Sequence, residues 1–126
     1  MPLQNRNIVV IDDTASIRTF LRISLQACGA LFHEAASANE GLKVSSEVKP
    51  DLVVLDLGLP DRDGFDILPE LKTKDDKGFS PKVIILSVRK ESSAKEKALK
   101  LGADGYMTKP FLMDDLIELI DRTINR

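Results

Sequence analysis

Three short apolar runs constrain the fold of this chain more than any other feature: Ile8-Val9-Val10-Ile11, Leu52-Val53-Val54-Leu55 and Val83-Ile84-Ile85-Leu86. Each is unbroken and rich in β-branched side chains. A strand with one wet side alternates polar and apolar residues. A strand without alternation is buried on both sides, and such strands belong to parallel sheets covered by helices. Two weaker candidates, Ala30 to Ala35 and Gly105 to Thr108, bring the expected count to five.

Helical patterns fill the intervals. Ile17, Phe20, Leu21, Ser24, Leu25 and Cys28 follow an i, i+3, i+4, i+7 rhythm, with Gly29 placed as a left-handed stop. Ser37 and Glu40 have capping-box spacing, each expected to accept from the other's backbone N–H, and Pro50 closes the helix they begin. A third helix around Phe65 to Leu71 carries Pro69, and a late start capped by Asp66 would accommodate it better than a kink at the proline. Ala94, Ala98 and Leu101 with Gly102 mark a fourth helix, and Leu116, Ile117, Ile120 and Ile124 a fifth. Lys72 to Pro81 reads as a solvated loop. Strands alternating with helices imply right-handed βαβ units and an open, doubly wound α/β sheet.

Composition bounds the function. The 126 residues, 43% of them hydrophobic, suit a single domain spanning 1–126. Lys plus Arg number 18 and Asp plus Glu 20, for a net charge of -2. That balance argues against a basic field for direct nucleic-acid binding. One cysteine and no secretory leader point to a reducing cytoplasm, and no apolar run approaches the ~20 residues that span a bilayer.

Polar residues stand directly after the apolar runs and the weaker fifth strand: Asp12 and Asp13 after the first strand, Asp56 after the third, Ser87 after the fourth and Lys109 after the fifth. In open α/β sheets the carboxyl edge holds the ligand crevice, so these residues are expected to meet. Three carboxylates together repel one another unless a cation sits among them. Oxygen ligands in small number suit Mg²⁺, which keeps several waters and shares phosphate oxygens. One aspartate could then attack a phosphoryl group to form an acyl phosphate. Lys109 would stabilise the developing charge and Ser87 would donate a hydrogen bond to it.

The segments "VIDDT", "VVLDLGLPDRDG", "IILSV" and "GADGYMTKPF" resemble the acid pair, phospho-acceptor block, hydroxyl strand and Lys-Pro strand of the response-regulator receiver domain, over about Ile8 to Ile120. The resemblance implies a flavodoxin-like five-stranded parallel sheet in the order 2-1-3-4-5 with five helices. It also implies transfer of a phosphoryl group from a histidine kinase or phosphotransfer protein to an aspartate. Residue by residue, Asp56 matches the phospho-acceptor. Asp12 and Asp13 match the metal-binding acids, Asp13 as the more direct ligand, with Asp56 and the Gly58 carbonyl completing the protein's share. The implied ion is Mg²⁺, with Mn²⁺ as a substitute. Ser87 matches the switch hydroxyl, Tyr106 the aromatic that turns inward when that hydroxyl closes on phosphate, and Lys109 the phosphate-contacting lysine. Pro110 matches a proline often joined through a cis bond. The implied output is protein contact at the face of the fourth helix, fifth strand and fifth helix.

Plainer roles suit other residues. Asp61, Asp63 and Asp66 read as turn and cap residues, His33 as structural and Cys28 as core. Val88, where many receivers carry Ala or Gly, should narrow access to the acceptor, and Arg89 stands near the phosphate edge, where it could modulate attacking water. Gly105 and Leu119 occupy the places where receivers of winged-helix regulators pair an acid with an arginine, so that ion pair does not carry over. A stand-alone regulator, or a receiver excised from a longer protein, is expected. Two other readings are a receiver-fold interaction module that is not phosphorylated and a metal-dependent phosphohydrolase. The second would want an acid where Gly58 stands.

Overall fold

A computed structural model describes Met1–Arg126. Five strands, β1 (Asn7–Ile11), β2 (Leu31–Ala35), β3 (Leu52–Leu55), β4 (Lys82–Ser87) and β5 (Gly105–Thr108), alternate with five helices. The helices are α1 (Ala15–Ala27), α2 (Ala38–Val48), α3 (Gly64–Lys72), α4 (Ser92–Lys100) and α5 (Met113–Ile124). All strand pairs are parallel, in the order β2-β1-β3-β4-β5. The register sets Ile11 beside Leu55 and Leu55 beside Ile85, so the first residues past β1 and β3 leave the sheet at the same level.

The unbroken apolar runs are divided between two cores. Ile8, Val10, Leu52, Val54, Ile84 and Leu86 pack toward α1 and α5, against Leu21, Leu25, Leu116 and Ile120. Val9, Ile11, Val53, Leu55, Val83 and Ile85 face the other way, toward α2, α3 and α4. Successive side chains of a strand point to opposite faces, so burial on both faces requires an unbroken run. Each fully buried aliphatic side chain contributes about 1.5–3 kcal/mol. The outer strands β2 and β5 are mostly half-buried, which is why their sequences read more weakly.

Two local expectations change. Helix α3 begins at Gly64, not late at Asp66. Asp63 is its cap, accepting from Phe65 N at 2.9 Å, and Gly64 N donates to the Leu57 carbonyl at 2.8 Å. Pro69 therefore lies inside the helix. It is exposed, so its missing amide costs one backbone bond on the solvent side. Gly64 is required for a reason the turn signal did not reveal. A Cβ there would stand 2.6 Å from the Asp56 carbonyl oxygen and 2.7 Å from Leu57 Cα. The capping box at α2 is also only half as expected. Ser37 Oγ accepts from Glu40 N at 3.2 Å, but the Glu40 carboxylate accepts from Ala36 N at 2.9 Å, because the extended backbone at Ser37 presents the preceding amide. The next two amides, of Ala38 and Asn39, donate to Asp61 from across the β3–α3 loop at 2.8 and 2.9 Å.

Candidate functional site

Every residue expected at the strand ends arrives at the carboxyl edge. Asp12 follows β1 directly and is 2% exposed. Its amide donates to the Ala35 carbonyl of β2, and its Oδ1 accepts from Thr14 N at 2.9 Å, which turns the chain into α1. Asp13 is exposed beside it. Asp56 follows β3, is 8% exposed, and donates its amide to the Ile11 carbonyl at 2.9 Å. The sheet ladder itself thus fixes the end of β3 against the acid pair. Carboxylate oxygens of Asp12, Asp13 and Asp56 all lie within 4.8 Å of one another.

One cation faces this trio. Lys109 Nζ donates to Asp12 Oδ2 at 2.8 Å and lies 3.7 Å from Asp56 Oδ1. It is held there by the β4–β5 ladder, in which Lys109 N donates to the Ser87 carbonyl at 2.8 Å. The Lys109–Pro110 peptide bond is cis. Three carboxylates against one ammonium leave an excess of negative charge in a largely dry corner. Burial, and next the Asp12 charge, push the Asp56 carboxyl above its ordinary value. Lys109 and the Gly58 N–H act against that, and Asp13 adds to it. The donor set is all oxygen and carries more charge than Lys109 can offset, which fits a hard divalent cation. The Gly58 carbonyl, on the exposed turn after Asp56, accepts no hydrogen bond within the chain.

Ser87 is 1% exposed, and its Oγ accepts from Arg89 N at 3.1 Å. The half-buried Tyr106 donates its hydroxyl to the Arg89 carbonyl at 2.7 Å, and burial pushes its phenol up. Val88 is 68% exposed at the mouth of the edge. Arg89 is not a free charge beside the acids. Its guanidinium donates to Asp63 Oδ2 at 2.8 Å and stands over the Phe65 ring. The plainer assignments fit as well. His33 Nε2 lies 3.2 Å from Asn7 Oδ1, and Cys28 packs against the α1–α5 core. Sequence reasoning missed the reach of Asp61 and Asp63, whose partners lie 22 to 26 residues away. Their turn setting was legible. Their partners had no local signal.

A parallel 2-1-3-4-5 sheet with acids, a hydroxyl and a lysine at its carboxyl edge defines the class of chemotaxis-Y-like α/β proteins. Solved structures agree on that fold. Chemotaxis response regulator CheY4 of Vibrio cholerae superposes with a TM-score of 0.86 at 23% identity, covering 95% of this chain and 99% of that one. The receiver domain of the Francisella response regulator 1452 does so with a TM-score of 0.87 at 30% identity, covering 97% and 98%. The chain belongs to the response regulator receiver domain family of two-component signalling, whose pattern it matches over residues 8–121. Among its relatives is the KDP operon transcriptional regulatory protein KdpE of Escherichia coli K12, 41% identical over 110 residues, 87% of this chain and 47% of that protein. Another is the transcriptional regulatory protein KdpE of Mycobacterium tuberculosis H37Rv, 40% identical over 119 residues, 94% and 51%. The chain spans about half the length of these relatives. Their names are those of transcriptional regulators, so the expectation of no direct nucleic-acid contact is carried only by the charge of residues 1–126. No helix is long and apolar enough to cross a membrane.

Proposed function

We propose that residues 1–126 act as one phospho-accepting domain in which Asp56 takes a phosphoryl group from a histidine kinase or phosphotransfer protein, with Mg²⁺ as the required ion. The observation that carries this reading is the acid trio, three carboxylates within 4.8 Å facing a single ammonium. Asp12, Asp13, Asp56 and the Gly58 carbonyl would hold the ion. When bound, it neutralises the trio and the phosphoryl oxygens together.

The chain's own residues do the rest. An Asp56 oxygen attacks phosphorus as the bond to the donor's imidazole nitrogen breaks, and the electron pair leaves with the imidazole. Burial holds Asp56 still, and the β1–β3 ladder aims it. Lys109 is already beside both Asp12 and Asp56, placed to meet charge on one phosphoryl oxygen, while the Ser87 hydroxyl donates to another. Its Oγ can keep the bond it accepts from Arg89 N while its own O–H turns to the phosphoryl oxygen. Tyr106, tied to the same Arg89, registers that change at the α4–β5–α5 face, where Leu99 is 48% exposed and a downstream protein would bind. Water later returns Asp56 to the free carboxylate.

Intact mass after incubation with Mg²⁺ and acetyl phosphate tests the reading. A gain of roughly 80 Da, one phosphoryl group, is expected in the wild type and absent from Asp56→Ala. No gain in the wild type with acetyl phosphate or a phosphorylated kinase would overturn it.

A further inference from the structure

The two proposed switch side chains, Ser87 and Tyr106, are joined through one residue. Arg89 gives its backbone N–H to Ser87 Oγ at 3.1 Å, and its carbonyl takes the Tyr106 hydroxyl at 2.7 Å. Its side chain binds elsewhere. Nη2 donates to Asp63 Oδ2 at 2.8 Å, and the guanidinium carbon lies 5.4 Å from the Phe65 ring centroid. Lys97 Nζ of α4 stands 4.6 Å from the same centroid, so one ring serves two cations and Asp63 is the carboxylate that bonds one of them.

Asp63 is itself well fixed. Its Oδ1 caps α3 through Phe65 N, and its backbone bridges antiparallel to Gly58, two residues beyond Asp56. A continuous set of contacts therefore runs from the acceptor loop through Asp63 and Arg89 to the hydroxyl and the ring. The two backbone bonds of Arg89 are ordinary neutral ones, each worth about 1 kcal/mol net. They sit in the β4–α4 connection, outside any ladder. The side-chain anchor is the charge-assisted contact that sets where this peptide stands.

We propose that Asp63 and Arg89 form a latch, positioning residues that hold the Arg89 peptide where its carbonyl keeps the Tyr106 ring inward. With the latch closed, the ring is drawn in and Ser87 Oγ has an amide donor. With it open, both are released together. The latch rests on the reading of Ser87 and Tyr106 as the switch. It ties that switch to the same loop that carries the Gly58 carbonyl. The side chains of the pair are 34% and 39% exposed. Its loss should therefore change the ratio of inward to outward ring by about two- to five-fold, the range of a solvent-screened pair.

Tyr106 is the only tyrosine, so biosynthetic 3-fluorotyrosine gives a single ¹⁹F resonance reporting its ring. Arg89→Gln and Asp63→Asn should each move that resonance toward its solvent-exposed position, and the double variant should move it no further than either alone. Arg89→Lys should lie between wild type and Arg89→Gln. High salt should move the wild type in the same direction and leave Arg89→Gln unmoved. Asp63→Asn keeps an oxygen for the α3 cap, and Arg89→Gln touches no cap, so it carries the test should the other fail to fold. In a second arm, the apparent affinity for Mg²⁺ with beryllofluoride should weaken two- to five-fold in Arg89→Gln, because the competent arrangement is rarer. A wild-type resonance position in folded Arg89→Gln overturns the latch. If the variants shift the resonance while wild type ignores Mg²⁺ and beryllofluoride, the latch stands and the phospho-acceptor reading fails.

Discussion

At the amino edge of the sheet, Asp51 precedes β3 and Asp104 precedes β5, and each carboxylate has donors of its own. Asp51 accepts from Asn7 N at 2.8 Å, with Arg6 at 3.8 Å. Asp104 accepts from Val83 N and from Lys72 Nζ, both at 2.8 Å. At the carboxyl edge, Asp12, Asp13 and Asp56 crowd within 4.8 Å of one another, and the one ammonium there, Lys109, reaches Asp12 and Asp56. Residue type is the same at both edges. The difference lies in the number of cations per carboxylate: one each for Asp51 and Asp104, one for the trio. Satisfied carboxylates join strands and hold the fold, whereas a crowded, undercompensated group keeps electrostatic free energy available to a cation and a phosphoryl group.

That contrast predicts a separation of effects. The largest is chemical: Asp56→Ala should abolish phosphoryl uptake, while Asp51→Ala retains it, read by intact mass. A comparable rate of uptake in Asp56→Ala would break the contrast outright. Next in size is a stability effect confined to the amino edge. Asp104→Ala leaves the Lys72 ammonium, 20% exposed, without its carboxylate and Val83 N without its acceptor. Chemical denaturation should show a loss of about 2–3 kcal/mol, short of the cost for a fully buried pair, with uptake by the folded fraction intact. The smallest effect belongs to the mouth of the site. Val88→Ala should speed uptake from acetyl phosphate about two-fold, under 0.5 kcal/mol in the barrier. Equal rates would show that the exposed side chain does not hinder entry.

The sequence reveals the central strands and the convergence of Asp12, Asp13, Asp56, Ser87 and Lys109 because both are properties of position. A doubly buried strand must be apolar throughout, and the residue after it must reach the carboxyl edge. The start of α3 was less legible. Asp66 and Asp63 are equal as caps by type, and the choice fell to Gly64, whose missing Cβ lets the helix press against the Asp56 and Leu57 backbone. Long-range polar contacts were least legible. Asp61 on the amides of α2 and Asp63 on Arg89 depend on how loops pack, and neither leaves a spacing in the chain to read.

Thermal unfolding of wild type and Asp56→Asn against pH, with and without Mg²⁺, tests the central claim most directly. The folded-state pKa of Asp56 is raised, chiefly by burial. Between the unfolded and folded values the native state holds the extra proton, so this group's contribution falls as pH rises through that window. Asp61, Asp63 and Asp75, all shifted downward, act in the opposite sense: their stabilisation is lost as pH falls through their folded values. They are common to both proteins and cancel in the difference. Asp56→Asn should be more stable than wild type at pH 7, because burial and the Asp12 charge disfavour the ionised Asp56 that wild type must carry there. The gap should close below about pH 4, where the unfolded carboxyl is protonated. Mg²⁺ should raise the melting temperature of wild type and raise that of Asp56→Asn far less. An Asp56→Asn protein less stable than wild type at pH 7, with wild type indifferent to Mg²⁺, would contradict the account.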